Sequence, residues 1–322
     1  MVAPVAIAVV AVAVAFAYSI GAHYTGACMG MSYAAGAIRL APALLVMAPL
    51  AFLGAAVASE GVEATVGHGL LGAGVVPLGL ALAILLAALV LTSAYNFLTL
   101  PTSTIQILVF ATVGAGLADG RSVAWTTVGA LVVLWALAPV VAFGLGYLLT
   151  RGWDRLRPGR PGGERLGRRL AAGLVVVGAA ASFAMGANDV ANASGALVMT
   201  GTFGLLLAAV VGGAGLAAGV LTWGRPLLEK VAFKVVRLDG RMAVSAQSAQ
   251  AAVVLGSVAF GLFTSMNQAL VGAMIGTGLA RGRDTLARAA VRDILAGWAL
   301  GPVSGAALGF GFVAGLVHLG FL

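Results

Sequence analysis

Charged residues are scarce in this sequence. Only 9% of its 322 residues are Asp, Glu, Lys or Arg, whereas 61% are hydrophobic. Because soluble globular domains carry roughly a quarter charged residues, this composition excludes an ordinary soluble domain and indicates a multi-pass protein in a lipid bilayer. The 47 glycines favour the same class, since small residues let membrane helices approach each other closely.

Cysteine and the usual catalytic clusters are nearly absent as well. Cys28 is the single cysteine, so no internal disulfide can form. No set of His, Cys, Asp and Glu has metal-ligand spacing, and the chain has neither a Ser–His–Asp set nor a phosphate-binding GxxxxGK[ST] loop. We therefore expect neither an enzyme nor a bound metal or cofactor.

The few charges are unevenly placed, and their positions predict the topology. The net charge is +8, and seven arginines lie in the segment 151–169. Basic residues collect in short loops on the cytoplasmic side of a membrane. The pattern therefore predicts a cytoplasmic linker over residues 151–170, a multi-pass chain in the plasma (inner) membrane, and no binding to nucleic acid.

The basic linker separates two similar halves, residues 1–150 and 171–322. Four motifs occur in both halves in the same order, with offsets of 162–165 residues. The pairs are GAHYTGACMG and GANDVANASG, LPTSTIQ and LFTSMNQ, GAGLADG and GTGLARG, and LWALAPV and GWALGPV. Chance similarity between apolar segments does not explain this order, so the sequence predicts a duplication.

Equivalent loops of the two halves differ in charge. The predicted loop 59–75 contains Glu60 and Glu63 but no Lys or Arg, whereas its counterpart 223–241 contains five basic residues. Loops of opposite charge are expected on opposite sides of the membrane. We therefore predict an all-α polytopic membrane protein with inverted-topology repeats, broken helices and re-entrant hairpins, and about 10–12 membrane segments.

Polar residues interrupt the apolar segments at four places and form the candidate site. Broken helices expose N–H groups that can bind an anion, and hydroxyl and amide side chains can add neutral donors. The predicted substrate-binding residues are Asn188, Asn192, Ser103, Thr104, Gln106, Thr264, Ser265 and Gln268. Hydrogen bonding of the hydroxyls to helix carbonyls is the structural alternative.

Asp189 and His23 are the candidate ion-coupling residues. A carboxylate within the bilayer costs several kcal/mol and usually marks an ion or proton pathway, although Asp189 can also cap the following half-helix. His23 occupies the place of Asn188 in the first half. It is either a structural residue or a second proton carrier.

The segment GANDVANA at 186–193 resembles the signature of the inorganic phosphate transporter (PiT) superfamily. PTST followed by GAGLADG, and TSMNQ followed by GTGLARG, are similar to the duplicated hydroxyl and glycine-rich elements of that family. The resemblance covers most of both halves. It implies an inverted-repeat symporter with an oxyanion site where the two repeats meet.

This sequence departs from the pattern of the phosphate members in its first half. Where those members carry a second Asn-Asp-x-x-Asn set, this chain has His23, Tyr24 and Ala27, and the final His of both hydroxyl motifs is Gln106 or Gln268. The segment 19–38 more closely resembles the sulfate-permease branch of the superfamily.

The loss of one acidic set favours a single coupling carboxylate and a site made mainly of donors, which suits sulfate. We therefore expect a secondary active transporter that imports sulfate by proton symport. A sodium- or proton-coupled phosphate symporter remains an alternative, as does an anion channel. A homodimer is one arrangement that the sequence allows.

Overall fold

The computed structural model describes residues 2–72, 74–100, 102–156, 167–234, 238–282 and 288–318, which form fourteen α-helices. The helices of the first half are α1 (Val2–His23), α2 (Thr25–Ala34), α3 (Leu40–Ala58), α4 (Glu60–Gly69), α5 (Leu78–Phe97), α6 (Thr104–Ala118) and α7 (Trp125–Leu156). Those of the second half are α8 (Arg168–Asp189), α9 (Ala191–Met199), α10 (Leu205–Trp223), α11 (Arg225–Lys234), α12 (Gly240–Ala259), α13 (Met266–Arg281) and α14 (Arg288–His318).

The all-α membrane fold predicted from the sequence is confirmed. Within the described residues, eight segments are long and apolar enough to cross a membrane, with α1–α2 and α8–α9 each counted as one broken span. Helix α6 is a further, shorter apolar helix, and α13 is its counterpart in the second repeat. The outer faces of α7 and α14 expose apolar side chains such as Val133, Val141 and Val303, as expected of surfaces that contact lipid.

The seven helices of each half occur in the same order and make the same contacts. Helix α1 packs on α5 and α10, and its counterpart α8 packs on α12 and α3. In the same way α6 packs on α14 and α13 on α7, while α2 packs on α11 and α9 on α4. The described helices therefore form two structurally equivalent, interlocked repeats.

Glycines bring the helices of the two repeats into backbone contact. A Cβ on Gly21 would overlap the carbonyl oxygen of Leu216, and a Cβ on Gly186 would overlap that of Ala51. The two glycines are 165 positions apart in the sequence, and so are the two residues that they contact. Since the carbonyl is backbone and cannot give way, these positions require a residue without a side chain.

The hairpin turns of the two repeats have matching conformations. Thr99 after α5 and Gly261 after α12, which are equivalent residues, have φ values of 50° and 68°. A left-handed conformation is unfavourable for threonine, and the Lys230 ammonium of α11 donates to the Thr99 hydroxyl at 2.8 Å. On the other turn the Thr65 hydroxyl of α4 donates to the Gly261 carbonyl at 2.8 Å. A short helix of one repeat thus holds the hairpin of the other.

Two segments predicted as loops are helical. Residues Glu60–Gly69 form α4 instead of an external loop, and residues Arg225–Lys234 form α11 within the predicted loop 223–241. The acidic first turn of α4 suits a helix N-terminus. The divisions at 150 and 171 stay a prediction, and residues 157–166 of the linker lie outside the described residues.

Candidate functional site

The N-termini of the two hairpin helices form the centre of the site. Ser103 and Ser265 are their N-caps, and each hydroxyl accepts a hydrogen bond from the backbone N–H of the glutamine three residues later, at 3.4 Å. Both serines are buried. The hydroxyls therefore orient the first turns of α6 and α13, whose remaining N–H groups have no intrahelical acceptor.

Gln106 and Gln268 join these helices across the repeat interface. The Gln268 Nε2 donates to Gln106 Oε1 at 3.1 Å, and the Gln106 Nε2 donates to Gln268 Oε1 at 3.4 Å. The two residues are equivalent, 162 positions apart, so the reciprocal pair marks the pseudo-two-fold axis. Both side chains were predicted to bind substrate, and in this structure they bind each other.

Asn188 fixes the second hairpin. Its Nδ2 donates to the Thr264 carbonyl at 2.8 Å, and its Oδ1 accepts from the Thr264 N–H at 3.0 Å. Both ends of the amide are thus engaged with one peptide. This geometry gives Asn188 a positioning contact, and its side chain also interacts with the Asp189 carboxyl group.

His23 makes the equivalent contact in the first repeat. The Thr102 N–H lies 3.1 Å and the Thr102 carbonyl oxygen 3.2 Å from His23 Nε2, and Asn96 Oδ1 lies 2.6 Å from His23 Nδ1. Asn96 in turn donates to the Ser19 carbonyl at 2.8 Å. With both ring nitrogens in hydrogen-bond contact, His23 holds the first hairpin as Asn188 holds the second, and its role as a proton carrier stays a prediction.

Asp189 lies at the break between α8 and α9, and its side chain is fully buried. Neither carboxylate oxygen has a hydrogen-bond partner among the described residues. Val190 is the N-cap of α9 and makes no side-chain cap bond, so the capping role considered for Asp189 is not observed. A buried carboxylate without a hydrogen-bond partner is costly when it is ionised.

Other polar groups lie close to this carboxylate. Tyr24, which replaces the acid in the first repeat, interacts with Asp189 and bonds the Thr104 hydroxyl at 2.9 Å. The Asn192 Nδ2 donates to the same Thr104 hydroxyl at 3.2 Å. Asn192 Oδ1 and Thr264 Oγ1 are buried without partners, like both Asp189 oxygens. Three of the predicted residues therefore contribute unpaired oxygens to one region.

The site thus combines two kinds of group. The N-terminal turns of α6 and α13 present N–H donors and the positive ends of helix dipoles, which favour an anion. The unpaired oxygens of Asp189, Asn192 and Thr264 favour a proton or a small hard cation. This arrangement can bind an oxyanion next to a coupling ion.

Sequence reasoning missed a polar stripe on α12. Ser245, Gln247 and Gln250 are buried there, and the Gln247 Nε2 donates to the Ala27 carbonyl of α2 at 2.9 Å. In α5, the residues equivalent to Gln247 and Gln250 are Leu85 and Ala88. A position-by-position comparison of the two repeats could have found this difference, because glutamine is unusual in an apolar helix that is long enough to cross a membrane.

Known proteins resemble this chain over most of its length. The model of the phosphate transporter family matches twice, over residues 20–162 and 160–309. A sulfate permease of Bacillus subtilis is 29% identical over 289 residues, with coverage of 89% of this chain and 81% of that protein. A probable low-affinity inorganic phosphate transporter of Mycobacterium tuberculosis is 30% identical over 331 residues, with coverage of 96% and 77%.

Among solved structures, a sodium-dependent phosphate transporter superposes with a TM-score of 0.90. It is 22% identical in sequence, and the match covers 98% of this chain and 99% of that one. At this identity the match supports the fold alone. With the duplicated family match and the GANDVANA motif between its paired hairpins, this chain belongs to the phosphate transporter family.

Proposed function

We propose that this protein imports sulfate by proton symport, with the anion bound at the N-termini of α6 and α13 and the coupling proton on Asp189. The observation that carries the proposal is the fully buried, unpartnered carboxylate of Asp189 beside a site otherwise built from neutral donors. We place this site in the plasma membrane, with the 151–170 linker on the cytoplasmic side as its positive charge suggests.

The coupling follows from charge repulsion. Two unit charges about 4 Å apart interact by roughly 4 kcal/mol at the effective dielectric near a protein surface. An ionised Asp189 would repel a divalent anion bound nearby, and protonation removes this penalty. Proton and sulfate therefore favour each other's binding, and the coupling is reciprocal.

The choice of sulfate rests on the donor set. Sulfate has no proton at neutral pH and is best bound by donors, whereas hydrogen phosphate also donates to a carboxylate acceptor. The second repeat supplies Asp189, but the first supplies Tyr24 at the equivalent position. The similarity to a sulfate permease agrees with this choice.

A sodium-coupled phosphate symporter is the second candidate, favoured by a specific observation. The unpaired oxygens of Asp189, Asn192 and Thr264 are hard ligands of the kind that bind Na⁺ as well as a proton.

Uptake by proteoliposomes tests both candidates. We expect radiolabelled sulfate to accumulate when the outside is acidic, protonophore to abolish the accumulation, and excess phosphate to compete weakly. Uptake that depends on a sodium gradient and not on the pH gradient would refute proton coupling. Stronger competition by phosphate than by unlabelled sulfate would refute sulfate as the preferred substrate. Flux without accumulation would indicate a channel.

Asp189→Asn provides the residue-level test, with Asp119→Asn as the matched control. Asp119 lies at the surface end of α6, where it pairs with Arg121 at 2.8 Å, a contact worth at most about 1 kcal/mol. We expect Asp189→Asn to abolish accumulation and Asp119→Asn to retain it. Accumulation by Asp189→Asn at the level of the control would remove Asp189 from the mechanism.

A further inference from the structure

Glu63 is a second buried carboxylate that the proposed function does not use. It lies on α4, its side chain has no solvent-exposed surface, and neither oxygen has a hydrogen-bond partner among the described residues. Glu60, on the same helix, is exposed. Burial of an acidic group without a partner is unfavourable when the group is ionised, so the two glutamates of α4 are in very different environments.

Helix α4 packs closely against the half-helix that follows Asp189. A Cβ on Gly67 would meet Val198 and a Cβ on Gly195 would meet Val66, so the backbones of α4 and α9 are close together. Glu63 lies one turn before Gly67 on the same face. Its carboxyl group interacts with Ser194 of α9, whose hydroxyl is committed to the Val190 carbonyl at 2.9 Å.

The other repeat shows that packing does not require an acid at this position. Helix α11 packs on α2 as α4 packs on α9, and the residue equivalent to Glu63 is Leu228, which is fully buried. The residue equivalent to Ser194 is Met29, which is also buried. One repeat therefore has an apolar pair at the position where the other has a carboxylate and a hydroxyl.

The described helices that pack against α4 place no neutralising charge beside Glu63. Helices α9 and α10 pack against α4 and contain no titratable residue. Helix α12 contains one, Arg241, at its N-terminus. Helix α4 packs near Gly261, which follows the opposite end of α12. On α4 itself the other titratable groups are Glu60 and His68. Desolvation by burial raises the pKa of Glu63 to about 7, with the charge of Glu60 adding to this effect and the Ser194 hydroxyl opposing it.

We propose that Glu63 is a second proton-binding residue of this transporter, which carries its proton against α9 and is linked through that half-helix to Asp189. The proposal rests on the proposed proton symport for its role in transport. The protonated carboxyl group is neutral and packs against α9 as Leu228 packs against α2. Release of the proton leaves a charge that the surrounding helices do not compensate, which disfavours this packing.

Infrared difference spectroscopy of the purified full-length protein tests proton binding without any transport. We expect a protonated-carboxyl band that titrates at about pH 7, that is lost in Glu63→Gln, and that is retained in the exposed control Glu60→Gln. Persistence of the same band in Glu63→Gln would overturn the proposal. Glu63→Leu, which copies the second repeat, provides an independent variant that keeps the site packed.

Sulfate uptake by the same proteins tests the link to transport. Protonation of a group with a pKa of about 7 changes about tenfold between pH 6 and pH 8. We expect the ratio of uptake at these two pH values to fall by up to about this factor in Glu63→Gln and Glu63→Leu, but not in Glu60→Gln. An unchanged ratio in both Glu63 variants would overturn the link. Wild-type uptake that ignores pH would instead refute proton symport, while the infrared band would still decide proton binding by Glu63.

Discussion

Glu63→Gln should stabilise the protein at alkaline pH. The wild-type carboxyl group is buried without a partner, and burial raises its pKa from the ordinary value of 4.5 to about 7. The folded protein therefore binds this proton more tightly than the unfolded chain does. The free energy of unfolding therefore depends on pH. The stabilising contribution of the Glu63 proton is complete below about pH 4.5 and is lost progressively as the pH rises to about 7.

The magnitude follows from the two pKa values. The interval between 4.5 and about 7 corresponds to about 3 kcal/mol, because each tenfold change in proton affinity is worth roughly 1.4 kcal/mol. Glutamine has the shape of the protonated acid and does not titrate. The variant should therefore match wild type at pH 4.5 and exceed it by about 3 kcal/mol at pH 8, or roughly 5 °C in Tm for a chain of this length.

Cys28 provides the assay, because it is the single cysteine and is fully buried. A thiol-reactive fluorophore therefore reacts only as the protein unfolds, and melting curves can be measured from pH 6 to pH 8. The difference in Tm between Glu63→Gln and wild type should grow with pH, whereas Glu60→Gln should show no such trend. A Glu63→Gln variant that is equally or less stable at pH 8 would refute the reasoning.

Three further outcomes can be measured. Asp189→Asn should still bind sulfate, measured by equilibrium binding to the purified protein, but its affinity should no longer rise on acidification; a retained rise would place the proton elsewhere. His23→Ala should lower stability by about 1–3 kcal/mol, because buried polar partners are left unpaired, while the pH dependence of uptake survives; its loss would make His23 a proton carrier. Gly276→Ala should cost about 1–3 kcal/mol in a melting assay, because its Cβ would overlap the Phe143 carbonyl, whereas Gly144→Ala has open space; equal effects would refute this contact.

Much of the architecture could be predicted from the sequence, because its causes are local or repeated. Apolar composition determines that the chain lies in a membrane, and motifs at offsets of 162–165 residues reveal the duplication. The GANDVANA motif identifies the family. Each of these signals is present in a short segment or in the comparison of two segments, so no knowledge of packing was needed.

The contacts within the site were decided by tertiary structure. Gln106 and Gln268 were both predicted to bind substrate, but only the assembled repeats show that they bond each other. Asn188 and His23 look unrelated in sequence, yet each holds the backbone of an equivalent hairpin. Such pairings join residues far apart in the chain and depend on how the hairpins meet.

Glu63 shows most clearly the difference between what the sequence determines and what the tertiary structure decides. Its acidic neighbourhood and the absence of basic residues predicted an exposed external loop, whereas the structure places it on a helix with its carboxyl group buried against α9. Sequence determines which residues carry charge and where the membrane segments lie. Whether a given carboxylate is solvated or desolvated depends on which helix packs over it, and only the tertiary structure decided that.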